Sequence, residues 1–221
     1  MAKIDIKELQ ESLPQWEFLK NLPRELKGFH YKDRGDMDGQ HVLVLCSYEK
    51  PGSHRSLDLI YTKETFDFVP VKQVGLHSFR DLRYITRDKE EFTEIIPQVL
   101  ERMLSEISED YCPGCQRVLS EKGVPEWEYG RTLPETIGRF QLFITPEHPF
   151  EYINNSIILI DYADFEKGDE LYFMYNRVRN EFFAEKKVDN IPKTIHDFDA
   201  DTLKQLEKHL KEKLVPYLEK M

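Results

Sequence analysis

The chain holds two tryptophans, and both stand in the same local setting. Leu13-Pro14-Gln15-Trp16-Glu17-Phe18 is followed by Leu22-Pro23; Val124-Pro125-Glu126-Trp127-Glu128-Tyr129 is followed by Leu133-Pro134. The copies are 111 residues apart, and the same spacing sets Leu26 on Ile137 and Phe29 on Phe140. Further along the spacing grows to 114, as a short insertion in the second copy produces. Leu43-Val44-Leu45 then falls on Ile157-Ile158-Leu159, Tyr48 on Tyr162, and Leu57 to Tyr61 on Leu171 to Tyr175. In the last segment the spacing reads as 111 again, with Phe92, Ile95, Val99, Met103 and Ile107 on Leu203, Leu206, Leu210, Leu214 and Leu218. A period this long means two domain-sized units rather than a solenoid. The expected architecture is a tandem duplication of an α+β module, residues 1–110 and 111–221.

Each module opens on a short helix, with Ile6 and Leu9 in the first copy and Val118 and Leu119 in the second. The Leu-Pro-x-Trp-Glu segment follows, held by prolines on both sides. Four strands come next, around Phe29, Val42–Cys46, Leu57–Tyr61 and Phe66–Val71, matched by Phe140, Ile157–Ile160, Leu171–Tyr175 and Phe182–Lys187. The continuous apolar runs suit strands covered on both faces, and the short connections suit an antiparallel meander. Asp88-Lys89-Glu90-Glu91 has the spacing of a helix start, and apolar residues at 92, 95, 96, 99, 100, 103 and 104 form one stripe. Pro97 falls inside that stripe and predicts a kink. The second long helix is expected to begin near Asp199. The module is therefore a mainly antiparallel four-stranded sheet with a short leading helix and a long C-terminal helix packed on one face.

Charge narrows the function. The formal net charge is −10, which opposes phosphate backbones and anionic lipid, so neither nucleic acid nor a membrane surface is the expected partner. The first residues include Asp5 and lack the apolar core of a signal peptide, and the longest aliphatic run, Ile157–Ile160, is far too short to span a bilayer. Three cysteines do not make a secreted disulfide framework. The expected location is the cytoplasm.

The best chemical lead is Cys112-Pro113-Gly114-Cys115 at the junction, just ahead of the helix Gln116–Lys122 that Gly123 terminates. Two thiols at this spacing can share one metal ion, close a small disulfide ring, or stand as ordinary thiols at a turn. A structural zinc site needs four ligands, which Cys46, a histidine (His41, His54 or His77) or a second chain would complete. A thioredoxin-like role wants a βαβ setting, whereas helices flank this motif. No cofactor is required by anything else in the chain.

Trp16 and Trp127 read either as aromatic anchors for a ligand or as plugs at the end of each core, and retention in both copies favours the plug. Tyr48 and Tyr162, with Tyr61 and Tyr175, read as buried rings with hydroxyls at the rim, or, with Lys63 and Arg177, as a sheet face open to a ligand. The seven histidines show no His-x-x-x-His spacing, and there is no Gly-x-Ser-x-Gly, Walker loop or Gly-x-Gly-x-x-Gly. No catalytic residue is singled out. The expected function is a non-enzymatic binding or adaptor protein offering a composite groove or surface to a protein partner, homo-oligomerisation being left open. The alternative is a metal-binding or thiol-redox protein using Cys112 and Cys115.

Overall fold

A computed structural model describes residues 4–109 and 115–221. The chain divides into two compact units, Met1–Ser108 and Glu109–Met221, each α+β with an antiparallel sheet. Unit one contains α1 (Ile6–Ser12), α2 (Glu17–Asn21), β1 (Glu25–Leu26), β2 (Phe29–Asp33), β3 (Met37–Asp38), β4 (Val42–Lys50), β5 (Arg55–Thr62), β6 (Asp67–Val74), β7 (His77–Arg80) and α3 (Lys89–Glu106). Unit two contains α4 (Gln116–Glu121), β8 (Thr136–Ile137), β9 (Phe140–Ile144), β10 (Phe150–Glu151), β11 (Ser156–Asp164), β12 (Asp169–Asn176), β13 (Glu181–Val188), β14 (Ile191–Ala200) and α5 (Leu203–Leu218). Each sheet carries seven strands: the four long ones read from sequence, two short ones (β1 and β3, or β8 and β10) and an edge strand, β7 or β14. None of the described helices is long and apolar enough to cross a membrane.

The two units repeat each other down to their irregularities. Val44 pairs with Ile60 and Cys46 with Leu59, which leaves Leu45 as an extra residue in β4. Ile158 pairs with Met174 and Ile160 with Phe173, leaving Leu159 in the same place in β11. A β-bulge bends its strand and raises the local twist, so sharing one fixes the same sheet curvature in both units. Left-handed backbone recurs at matched turn positions, His54 and Gly168, then Phe66 and Asn180. The Tyr48 hydroxyl donates to the Pro23 carbonyl at 2.8 Å, and the Tyr162 hydroxyl donates to the Pro134 carbonyl at 2.8 Å. Each bond ties the middle of a sheet to the Leu-Pro corner behind the tryptophan.

One feature of the repeat differs from its sequence reading. The spacing stays at 114 through the last helix rather than returning to 111. Asp88 caps α3 and Thr202 caps α5, so the second long helix starts later than Asp199. Phe92, Ile96, Leu100 and Leu104 are buried on α3; Leu206, Leu210, Leu214 and Leu218 are buried on α5. The Ile107 carbonyl accepts from Arg55 at 2.8 Å, and the Met221 carbonyl accepts from Arg139 at 3.1 Å. The reason lies in helix geometry: three residues turn a helix by about 300°, nearly a full circle, so an apolar stripe matches almost as well under either spacing.

Each long helix lies on its sheet. In unit two Leu206, Leu210, Leu214 and Leu218 join Leu159, Tyr162, Phe173 and Phe182 in one cluster with Trp127. In unit one Phe92 of α3 meets Phe68 of β6 at 5.3 Å between ring centres, and Phe18 at 6.1 Å. Asp88 accepts from the backbone N–H groups of Glu90 (2.9 Å) and Glu91 (3.1 Å), the arrangement its spacing implied. The helix continues through Pro97 to Glu106.

Candidate functional site

Among the described residues, one connection is longer in the second unit than in the first. Eleven residues, 145–155, join β9 to β11, where eight, 34–41, join β2 to β4. In unit one the shorter loop closes onto the leading helix. The Gly35 carbonyl accepts from the Gln10 amide at 2.6 Å, and a β-carbon on Gly35 would come within 3.3 Å of Leu13. In unit two the corresponding turn is Thr145-Pro146-Glu147-His148-Pro149, and it stands away from α4. Between them opens a cleft of about 460 Å³.

The floor of the cleft is apolar: Leu119 from α4, then Val124, Pro125 and Trp127, faced by Pro146 and Pro149. Gln116, Ser120, Arg131, Glu147 and His148 form the polar rim. Local chemistry holds this shape. Gly123, at φ +76°, ends α4 in the left-handed conformation, and its N–H and that of Val124 donate to Ser120 and Leu119 carbonyls, each at 3.0 Å. The chain then turns directly into the Pro125–Trp127 wall. Arg131 donates to the Pro125 carbonyl at 2.6 Å and meets Glu147 at 3.3 Å, so one guanidinium joins the tryptophan segment to the added loop. Gly130 lies against the indole, where a β-carbon would come within 2.6 Å of Trp127 Cε3.

Trp127 is buried, and its Nε1–H donates to Glu207 of α5 at 2.8 Å. With that N–H engaged, the ring offers the cleft only carbon surface. Lys211 foremost, and then the Trp127 N–H, hold the Glu207 carboxyl below its ordinary pKa. The arrangement suits an apolar side chain or ring entering beside Trp127, with polar flanking groups met by the rim.

The other residues singled out from sequence are placed as follows. Trp16 is buried, tilted on Phe18 at 5.2 Å and edge-on to Phe68 at 6.0 Å, with the Lys89 ammonium 4.3 Å from its ring centre. Tyr48 and Tyr162 are fully buried, and burial foremost raises both phenol pKa values. Tyr61 donates to the Ile4 carbonyl at 2.7 Å and Tyr175 to Asn180 at 2.8 Å. Cys115 is buried at the start of α4 and is disulfide-bonded; Cys112 lies outside the described residues. Cys46 is a free, fully buried thiol whose pKa burial pushes well up. The structure thus brings Trp127 and the helix that Cys115 starts to one cleft, while Trp16 and Tyr48 belong to the core of unit one. Sequence reading passed over the Pro146–Pro149 loop and Arg131, although the growth of the repeat spacing from 111 to 114 marked where the loop had lengthened.

The chain matches no known protein family, no curated protein and no solved structure.

Proposed function

We propose that this is a non-enzymatic binding protein whose second unit receives a segment of a protein partner in the cleft beside Trp127. The observation that carries the reading is the added loop. A duplicated fold needs only the shorter connection seen in unit one, and the longer one walls an apolar cleft. At about 460 Å³ the cleft falls within the size range of ligand sites. Residues 109–221 carry 22 Asp and Glu against 15 Lys and Arg, so the partner segment that fits is apolar at its centre and basic around it.

The test removes Pro146, Glu147 and His148, returning the connection to the length that unit one already uses. The shortened protein keeps its fold, by circular dichroism and thermal melting, and loses a partner that the intact protein retains. Retention of that partner at equal affinity refutes the reading. So does robust turnover of small-molecule esters or amides by the intact protein that disappears with Ser120→Ala or His148→Ala.

A further inference from the structure

Unit two lacks the counter-charges of a lysine that both units carry. In unit one Lys72 of β6 donates to Asp81 at 2.6 Å and also to Glu106 at the end of α3, and Phe79 of β7 stands directly across the ladder from it. The β6–β7 and β13–β14 registers match, so Lys186 takes the place of Lys72 and Lys193 that of Phe79. Ile195 stands where Asp81 does. At the spacing of 114 that the helices obey, Lys220 replaces Glu106 and Lys213 replaces Val99. Asp197, in the place of Arg83, is the one acid among these positions. Both carboxylates that hold Lys72 are thus missing around Lys186, and three further lysines stand there instead.

The four lysines come together where α5 meets β14. Lys186 and Lys193 are direct cross-strand neighbours and project from the same face of the sheet. Lys213 and Tyr217 lie one turn apart on α5, and Lys220 follows in the turn that closes the helix, its N–H donating to the Tyr217 carbonyl at 3.2 Å. The Tyr217 ring packs edge-on to Phe198 of β14 at 5.5 Å, and the Lys186 ammonium lies 5.5 Å from its centre. Lys213 donates to the Asp197 backbone carbonyl at 2.6 Å. Among the described residues none of the four lysines forms an ion pair with a carboxylate, that of Asp197 included. Like charges directly opposite on a ladder repel, so the Lys186–Lys193 pair is a cost that an anion would relieve. Lys193 and Lys220 are exposed, and Lys186 and Lys213 half-buried. Ile191, 68% exposed, lies on the same face two residues before Lys193.

We infer that this surface of unit two binds an acidic segment of a partner protein, its carboxylates standing where those of Asp81 and Glu106 stand in unit one. Carboxylate is the counter-ion that the fold itself uses at this lysine position, and the net charge of −10 opposes a phosphate backbone. Ile191 gives the segment an apolar neighbour. The surface shares no residue with the cleft beside Trp127 and does not depend on it. The probe is capped hexaglutamate, titrated into the full chain against capped hexaglutamine and a thymidine heptanucleotide of the same charge as hexaglutamate. Binding is read from the backbone amide resonances of Lys186, Ile191, Lys193 and Lys220. Hexaglutamate shifts these signals to saturation, more weakly as salt is raised, and hexaglutamine leaves them in place. The double change Lys193→Gln and Lys220→Glu, the second restoring the unit-one carboxylate at an exposed position, keeps the fold by thermal melting. It weakens hexaglutamate roughly tenfold or more, as loss of charge-assisted contacts requires. Lys208→Glu, an exposed charge reversal elsewhere on α5, leaves the affinity within about twofold. No shift with hexaglutamate, tighter binding of the heptanucleotide, or equal weakening by Lys208→Glu overturns the inference.

Discussion

Asp81→Asn tests how unit one secures the end of its long helix. Lys72 of β6 donates to Asp81 at 2.6 Å and also to Glu106 at the end of α3, with side chains 3%, 5% and 16% exposed. Arg83 covers the group, donating to Asp81 at 2.8 and 2.7 Å and to Glu106 at 3.1 Å. Burial alone would raise the Asp81 pKa, but the hydrogen bonds from Arg83 and Lys72 outweigh it and hold the carboxyl at about 2. Against an unfolded value near 3.8, that depression stabilises the fold by roughly 2.5 kcal/mol at neutral pH. A depressed folded-state pKa contributes stability that is present above the unfolded value and lost as pH falls through the folded one. The contribution therefore drops by about half at pH ~3 and is gone below ~2. Urea denaturation of Asp81→Asn and its parent, followed by Trp16 fluorescence in a Trp127→Phe background, measures the difference. The expected gap is about 2–3 kcal/mol at pH ~7, narrowing to roughly half at pH ~3. A gap that is absent at neutral pH, or constant across this range, refutes the electrostatic account.

Tyr48→Phe and Tyr162→Phe each remove one hydrogen bond to a proline carbonyl, so each lowers stability by about 1–2 kcal/mol, and by similar amounts because the two bonds are equivalent; unequal losses in chemical denaturation would count against that equivalence. Gly130→Ala drives a methyl group into the Trp127 indole, where its nearest neighbour would be 2.6 Å away. It destabilises by about 1–3 kcal/mol and displaces the Pro146 side of the cleft, seen as a changed Trp127 emission in a Trp16→Phe background. Gly123→Ala meets no atom within 4 Å and acts through its left-handed backbone alone, costing about 1 kcal/mol without moving that emission.

The repeat was legible because its punctuation is specific: Leu-Pro, Trp-Glu and Leu-Pro recur at fixed intervals that few other arrangements tolerate. The long strands were legible because both faces are covered, which leaves runs such as Ile157–Ile160. The edge strands were not, because an edge strand shows a weaker pattern. Along β14 only Ile195, Phe198 and Ala200 are buried, and Pro192 near its start is tolerated there because one side needs no donor. Its turn was signalled, since Asp189 and Asn190 both adopt positive φ between Val188 and Ile191, as a two-residue hairpin demands. The spacing error in the last helix has a different origin: apolar periodicity fixes which face is buried but not which turn is which. The cap at Thr202 resolves it, because a cap marks a single position. Charge partners were least legible. Lys72 and Lys186 occupy matching places, yet one is buried between carboxylates and the other lies 5.5 Å from the Tyr217 ring centre. Ile195 stands where Asp81 does in the first copy. The cleft was legible only as three surplus residues, whose consequence depends on the Gly35 turn that they replace.

A photo-crosslinking residue in place of Ser120 reports whether a partner enters the cleft of the second unit. Lys20, exposed on the tryptophan segment of unit one, is the control position. One identifiable protein adduct is expected from position 120 and none from position 20. Excess unmodified protein suppresses the adduct, whereas the variant lacking Pro146, Glu147 and His148 does not. The same adducts from both positions, no adduct from position 120, or equal suppression by the shortened variant would contradict partner entry at the cleft.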